Sequence, residues 1–136
     1  MEHAIEIEVV AADRKVYSGR AVSLMVPGGS GYFGVLHGHA PLISTLAVGE
    51  VTITPVDEPP VLLAVSAGFV EVTPDRVTIL ADTAELAEEI DVQRARQARE
   101  RAEARLRERT DEIDYQRAEA ALTRAINRLR VVERRG

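Results

Sequence analysis

The sequence predicts an all-β N-terminal sandwich, residues 1–86, joined to a C-terminal antiparallel hairpin of two helices, residues 87–136. Two observations predict this division. Short segments that alternate apolar and polar residues fill the first part, and turn-forming residues separate them. From residue 83 to residue 132 the chain has neither Gly nor Pro, and the strong helix formers Ala, Arg, Glu and Gln dominate.

The strands of the first part are predicted from their period of two. Residues 4–10, AIEIEVV, alternate apolar and polar side chains, as a strand with one buried face does. The run Asp57-Glu58-Pro59-Pro60 predicts a hairpin tip. Because no helical period lies between these short segments, the sequence favours an antiparallel sandwich or a flattened barrel. The other predicted strands are residues 16–17, 21–26, 50–54, 61–65, 68–72 and 77–81.

Two helices are predicted near residues 91–108 and 112–132, with a tight turn at 109–112 between them. Asp91 is expected to cap the first helix, and Thr110 or Asp111 the second. The apolar stripes are narrow and consist mostly of alanine. They comprise Ala95, Ala98, Ala102 and Leu106 on the first helix, and Ala118, Ala121, Leu122, Ala125, Leu129 and Val132 on the second.

The small size of these side chains has an energetic consequence. A buried alanine methyl contributes roughly 0.8 kcal/mol or less, and the entropy lost on ordering the chain opposes it. The hairpin is therefore expected to be marginally stable and detachable, although a permanently docked hairpin remains the alternative. Each helix is rich in intrinsic helix formers, so it is expected to remain helical when it is separated from the other helix.

Composition and charge exclude several classes of function. Residues 1–87 have a net charge of −7 and residues 88–136 of +2, within a chain total of −5. Because the C-terminal arginines alternate with acidic residues, a nucleic-acid partner is not expected. The absence of cysteine excludes disulfides and thiolate metal sites. The longest apolar run, residues 61–65, is far shorter than the roughly 20 residues of a spanning helix, so we expect membrane association only through a partner.

Two short motifs are weak indications of a site. Gly29–Gly34 matches G-x-G-x-x-G, but Gly38 and Pro41 prevent the helix that dinucleotide binding requires directly afterwards. His37 and His39 form an H-x-H pair, for which His3 is expected to be too distant to supply a third metal ligand. No nucleophile with an activating base is evident either, so a hydrolase or isomerase is disfavoured.

The arginines of the predicted hairpin form a possible polyphosphate site. Arg124 and Arg128 are one helical turn apart, and antiparallel pairing brings them to the same end as Asp91 and Arg94. Guanidinium groups bind phosphate oxygens through paired donors. On spacing alone, a solvated helix face with ordinary ion pairs explains these residues equally well or better.

Three segments resemble the epsilon subunits of F-type ATP synthases. GYFGVLHGHAPLI (31–43) is similar to their G-x-x-G-[IV]-L-P-G-H-x-P-L loop. VSAGFVEVTPDRVTILADTAE (65–85) is similar to their V-S-G-G-F-[LV]-E-V…V-T-[IV]-L-A stretch, and RAINRLRV (124–131) to the end of their helical hairpin. The segments occur in the family's order over about 130 residues, so the match is specific.

The resemblance implies a sandwich of about ten strands and two helices, without catalytic activity of its own. It implies that the sandwich binds the gamma subunit and the ring of c subunits at the cytoplasmic face of the bacterial membrane. It further implies that the helices fold against the sandwich or extend to the alpha/beta catalytic head, where they inhibit ATP hydrolysis. A free-standing β-sandwich adaptor with a helical arm is the alternative.

The resemblance also implies two groups of site residues. Ile90 to Ala95 matches the family's I/L-D-x-x-R-A motif for ATP, taken alone or with Mg²⁺ as a regulatory ligand. The implied ATP-binding residues are Glu85, Ile90, Asp91, Arg94, Arg124 and Arg128. The implied ring-contact loop contains Tyr32, His37 and His39. His37 replaces the family's usual Pro, Ala67 its usual Gly, and Tyr32 a residue that is acidic in some members, so the ring contact is the least certain of these expectations.

Overall fold

The computed structural model describes residues 3–108 and 111–135, which form two compact units, Met1–Leu86 and Ala87–Gly136. Within the described residues the first unit contains seven strands. The second contains a short 3-10 turn, Ala87–Glu89, and two helices, α1 (Val92–Arg107) and α2 (Glu112–Arg135). The strands are β1 (Ile5–Ala11), β2 (Lys15–Gly28), β3 (Gly31–Val35), β4 (Leu42–Leu46), β5 (Gly49–Pro55), β6 (Val61–Val72) and β7 (Arg76–Leu86).

The strands of the first unit form a closed circuit of hydrogen-bonded pairs. β1 pairs with β2 and β7, β7 pairs with β6, and β5 joins β6 back to β2. All of these pairs are antiparallel except β1 with β7. β3 extends the sheet from β2, and β4 extends it from β6. The predicted β-sandwich followed by a two-helix hairpin is confirmed.

Seven strands are described, fewer than the roughly ten that the resemblance implies, and two of them are long strands that each join two predicted segments. The predicted segments 16–17 and 21–26 are parts of β2, which continues between them because its edge pairs with β1. The segments 61–65 and 68–72 are both parts of β6. β3 and β4, five residues each, were not predicted because their burial alternates only weakly.

The core of the sandwich consists of aliphatic side chains. Ile5, Ile7 and Val9 alternate inward along β1 and are fully buried or nearly so. Tyr17 and Phe33 pack at the margin of this core and remain partly exposed. Burial, and then the negative charge of Glu58, raise the pKa of the Tyr17 phenol above its ordinary value.

A sharp bend in β6 allows this strand to change partners. Before the bend β6 pairs with β5, and after it with β4. The bend places Ala67 at φ 40° and Gly68 at φ 138°, both in the region that favours glycine. A Cβ atom on Gly68 would collide with the carbonyl oxygen of Leu80 on β7. Gly68 is therefore required here, whereas Ala67 is tolerated at a cost in strain.

The helices begin at the expected residues. The Asp91 carboxylate accepts a hydrogen bond from the Arg94 amide at 3.0 Å, and Asp111 accepts one from Asp114 at 2.9 Å. Both are N-caps, and the alternative cap Thr110 lies outside the described residues. The buried alanine seam between the helices is narrower than the predicted stripes and consists of Ala95 and Ala102 on α1, and Ala118 and Ala125 on α2. Val131 is buried as well, but it lies about 120° around α2 from Ala125 and so outside this seam.

The bend in β6 gives a matched pair of stability predictions. Gly68→Ala should lower the free energy of unfolding by about 1–3 kcal/mol or more, because it adds both strain and a backbone collision. Ala67→Gly should leave stability within about 1 kcal/mol of the parent, since relief of strain offsets the extra entropy of the unfolded chain. Urea denaturation of both variants measures this difference. Equal stability of the two would contradict the described backbone.

Candidate functional site

The helices of the second unit run antiparallel, so that the start of α1 lies beside the end of α2. Arg135 Nε, at the end of α2, lies 3.8 Å from Glu88 Oε2 in the 3-10 turn before α1. At the other end of the hairpin, Arg105 and Glu108 line a shallow pocket together with Asp114 and Arg117. Because of this antiparallel arrangement, arginines near the start of α1 are neighbours of arginines near the end of α2.

One side of the hairpin carries a groove between the two helices. Its volume is about 430 Å³, and its floor is apolar while its rims are charged. Arg99 on the rim pairs with Glu103 one turn later, at 3.6 Å. The lining residues are Val92, Arg96, Arg99, Glu100, Glu103, Leu129, Val132 and Glu133.

Arg94, Arg124 and Arg128 lie on the side of the hairpin opposite this groove. Each residue of a helix turns about 100° from the last. Arg94 is therefore directed away from the groove residues of α1, and Arg124 and Arg128 away from those of α2. Arg94 is exposed, whereas Arg124 and Arg128 are half-buried. The hairpin thus brings these three predicted residues to one face, which we call the arginine face.

Asp91 and Ile90 fix the beginning of α1 beside the arginine face. One oxygen of the Asp91 carboxylate is used in capping the Arg94 amide, so this residue orients the first helical turn. Ile90 is almost completely buried and anchors the chain that enters the helix. These two residues hold Arg94 in place, whatever further contacts they make with a ligand.

Glu85, which was predicted to bind ATP, is not part of the hairpin. It lies on β7 in the first unit, opposite Ala64 of β6. The second unit therefore contains five of the six predicted ATP-binding residues.

The chemistry of the arginine face suits a polyphosphate. Three guanidinium groups present donors in planar pairs, which match the oxygens of phosphate groups. The first amides of α1 add the positive end of the helix dipole. Arginine side chains and the amides at a helix N-terminus are both groups that bind phosphate oxygens in proteins.

The three residues of the predicted ring-contact loop do not form one cluster. The Tyr32 ring is exposed, but its hydroxyl accepts a hydrogen bond from the Glu50 amide at 2.9 Å. His39 Nδ1 lies 2.7 Å from the carbonyl oxygen of Ala40. His37 instead approaches the N-terminal segment, where its ring centre lies 5.3 Å from that of His3. The expectation that His3 is distant from this loop is wrong.

An exposed apolar stripe on the sandwich was missed by the sequence analysis. Phe69 of β6 lies opposite Leu80 of β7, which lies opposite Val10 of β1. Ile43 of β4 is next to this row on the other edge of β6. Ile43, Phe69 and Leu80 are 72%, 57% and 53% exposed. The available signal was the phase of β6, in which Val70 and Val72 face the core and Phe69 faces away.

Two further features bear on ligands and membranes. Among residues 3–108 and 111–135, no group of three or more His, Asp or Glu side chains is arranged to hold a metal ion. None of the helices in the described part of the chain is long and apolar enough to cross a membrane.

Comparison with known proteins identifies the family of this fold. Residues 4–87 match the β-sandwich domain of the ATP synthase delta/epsilon chain, and residues 88–133 match its long α-helix domain. The chain belongs to the ATP synthase delta/epsilon family. Both matched domains follow each other in the order in which the sandwich and the hairpin occur here.

Curated relatives in this family are similar over most of their length. The ATP synthase epsilon chain of Moorella thermoacetica is 53% identical over 106 residues, which is 78% of this chain and 79% of the relative. The ATP synthase epsilon chain of Streptomyces avermitilis is 44% identical over 104 residues, which is 76% of this chain and 84% of the relative. Several other bacterial relatives bear the same name.

Two chains in solved structures of mitochondrial ATP synthases have the same architecture. A chain in the cryo-EM structure of the Euglena gracilis mitochondrial ATP synthase, comprising OSCP, F1 and the c-ring, superimposes with a TM-score of 0.79 at 25% identity. That match covers 90% of this chain and 78% of the other. A chain from the central stalk and c-ring of the Tetrahymena thermophila mitochondrial ATP synthase shares the fold, with a TM-score of 0.60 at 11% identity.

Proposed function

We propose that this chain is a non-catalytic rotor-stalk subunit of a bacterial F-type ATP synthase, with a hairpin that restrains ATP hydrolysis. Membership of the delta/epsilon family is the observation that carries this proposal. In this role the sandwich joins the gamma subunit to the c ring. The protein is held at the cytoplasmic face of the membrane through the complex.

The apolar stripe supports the sandwich's part in this function. Large apolar side chains that are exposed side by side, as Phe69 and Leu80 are, are typical of surfaces that a partner covers. The stripe crosses four strands of a rigid sheet, which offers a flat surface to a partner subunit. We assign the apolar stripe as the surface that binds the gamma subunit. We assign the loop that contains Tyr32, His37 and His39 as the surface that contacts the c ring.

The arginine face supports regulation of the hairpin by ATP. A nucleotide that contacts Arg94 on α1 and Arg124 and Arg128 on α2 bridges the helices and stabilises the folded hairpin. Ligand present at 100 times its dissociation constant adds about 2.7 kcal/mol to the bound state. This is comparable with the packing energy of a seam of alanines, at roughly 0.8 kcal/mol for each methyl. When ATP is scarce, the hairpin opens and its helices reach the alpha/beta catalytic head.

ATP binding is tested by a pair of double variants with equal charge. Arg94→Ala with Arg128→Ala should weaken ATP binding about tenfold or more, because each removes charge-assisted hydrogen bonds worth about 1.5–3 kcal/mol. Arg96→Ala with Arg130→Ala removes the same charge elsewhere on the hairpin and should leave binding within about threefold of the parent. Calorimetric titration with ATP, with and without Mg²⁺, measures both.

Equal weakening by the two double variants would show that ATP is attracted by general positive charge and not by the arginine face. If the parent chain does not bind ATP at millimolar concentration, ATP is excluded as its ligand, but the subunit assignment is unaffected.

The subunit assignment is tested through the apolar stripe. Phe69→Glu with Leu80→Glu should abolish recovery of the gamma subunit with this chain, because it places two charges in the assigned interface. Val22→Glu with Met25→Glu alters exposed apolar residues of β2 and should leave recovery unchanged. Co-purification from cells that express the synthase measures both.

An ATPase assay of the recovered complex, with and without residues 88–136, then measures the restraint by the helices. Failure of the parent chain to recover any synthase subunit would favour a free-standing adaptor instead.

A further inference from the structure

Three segments that are distant in the sequence meet beside the start of β1. The Gly38 amide, in the loop after β3, donates a hydrogen bond to the carbonyl oxygen of Pro74 at 2.7 Å. The Glu6 amide of β1 donates one to the carbonyl oxygen of Asp75 at 2.9 Å. The turn before β7 therefore holds both the loop and the N-terminal segment, and it brings His3 to His37.

The separation of these two imidazoles fits coordination of a single metal ion. Their ring centres are 5.3 Å apart and their planes are inclined at 37°. Two imidazoles bound to one tetrahedral ion, each with a metal–nitrogen distance of about 2.0–2.1 Å, have ring centres about 5 Å apart. The ring separation is thus compatible with two ligands of one ion, and both side chains are exposed.

We propose that His3 and His37 bind one imidazole-preferring divalent cation, with Zn²⁺ as the representative. Imidazole nitrogen is a favoured ligand of Zn²⁺ and of neighbouring transition metals. Within the part of the chain that the structure describes, no third carboxylate or imidazole joins the pair in a cluster. Water completes the coordination, so the site is open and its affinity is below that of a closed structural zinc site.

The neighbouring charged and titratable groups have other partners. Glu6 pairs with Arg76 at 2.8 Å, and one oxygen of Asp75 accepts a hydrogen bond from the Thr73 hydroxyl at 3.3 Å. His39 lies two residues from His37, but one of its ring nitrogens contacts the Ala40 carbonyl oxygen. The ring contact that the structure shows is between His37 and His3, and this contact defines the proposed site.

Bound metal would fasten the N-terminal segment to the loop of residues 36–39. The loop already has one backbone hydrogen bond to the turn before β7, and the metal adds a second attachment from the other side. Because a ligand that binds the folded state stabilises it, zinc should also raise the thermal stability of the sandwich. This inference does not depend on the subunit assignment or on ATP binding.

The test is a titration of the full chain with zinc chloride, compared across three single variants. The parent and His39→Gln should bind one Zn²⁺ with equal affinity. His3→Gln and His37→Gln should each weaken binding at least about tenfold, since even the outer-shell partners of metal ligands contribute that much. Without zinc, all four proteins should have the same melting temperature, because His3 and His37 are exposed and His39 is only half-buried.

Several results would overturn the proposal. Loss of binding in His39→Gln with retention in His3→Gln would assign the metal to the H-x-H pair. Equal binding by all four proteins would place the zinc elsewhere on the chain. No heat and no change in histidine NMR signals in the parent would show that the pair binds no metal.

Discussion

The contact between α1 and α2 is the interaction on which the behaviour of the second unit depends. Ala95 and Ala102 on one helix, and Ala118 and Ala125 on the other, are buried in pairs two helical turns apart. Such small side chains let two backbones approach closely, yet each contributes only roughly 0.8 kcal/mol or less when buried. The caps at Asp91 and Asp111 stabilise each helix separately. The buried alanines therefore each contribute little packing energy, while the two caps stabilise the helices independently of that packing.

The sandwich, in contrast to the hairpin, is held together by large buried side chains. Its strands pair in a closed circuit, and its core consists of close-packed Val, Leu and Ile side chains. Even its sharpest bend is fixed, because Gly68 lies against the backbone of β7. One unit of the chain thus has a close-packed aliphatic core, and the other has a buried seam of small side chains.

The helices could be predicted closely because their signals are local. The aspartate caps and the absence of Gly and Pro are visible within a few residues, and both helices begin where these signals place them. The strands were harder to predict from the sequence. For example, β2 continues through residues 18–20 because β1 pairs beside it. Whether a segment pairs depends on neighbours that are remote in the sequence.

The prediction of site residues is likewise limited by contacts between segments that are remote in the sequence. Antiparallel pairing and helical periodicity predict that Arg94, Arg124 and Arg128 share one face. The approach of His3 to His37 was not predictable, because it depends on hydrogen bonds to a third segment, at Pro74 and Asp75. The apolar stripe emerges only when the register of β6 and β7 places Phe69 beside Leu80.

Native-state hydrogen exchange tests the weak seam most directly, because it measures the free energy of opening at each amide. Amides of α1 and α2 should exchange through a local opening that requires several kcal/mol less than exchange of β6 and β7, and saturating ATP should slow exchange in the helices alone. If the helical amides are protected as strongly as those of β6, and ATP leaves them unchanged, the hairpin is a fixed part of the fold and cannot act as a switch.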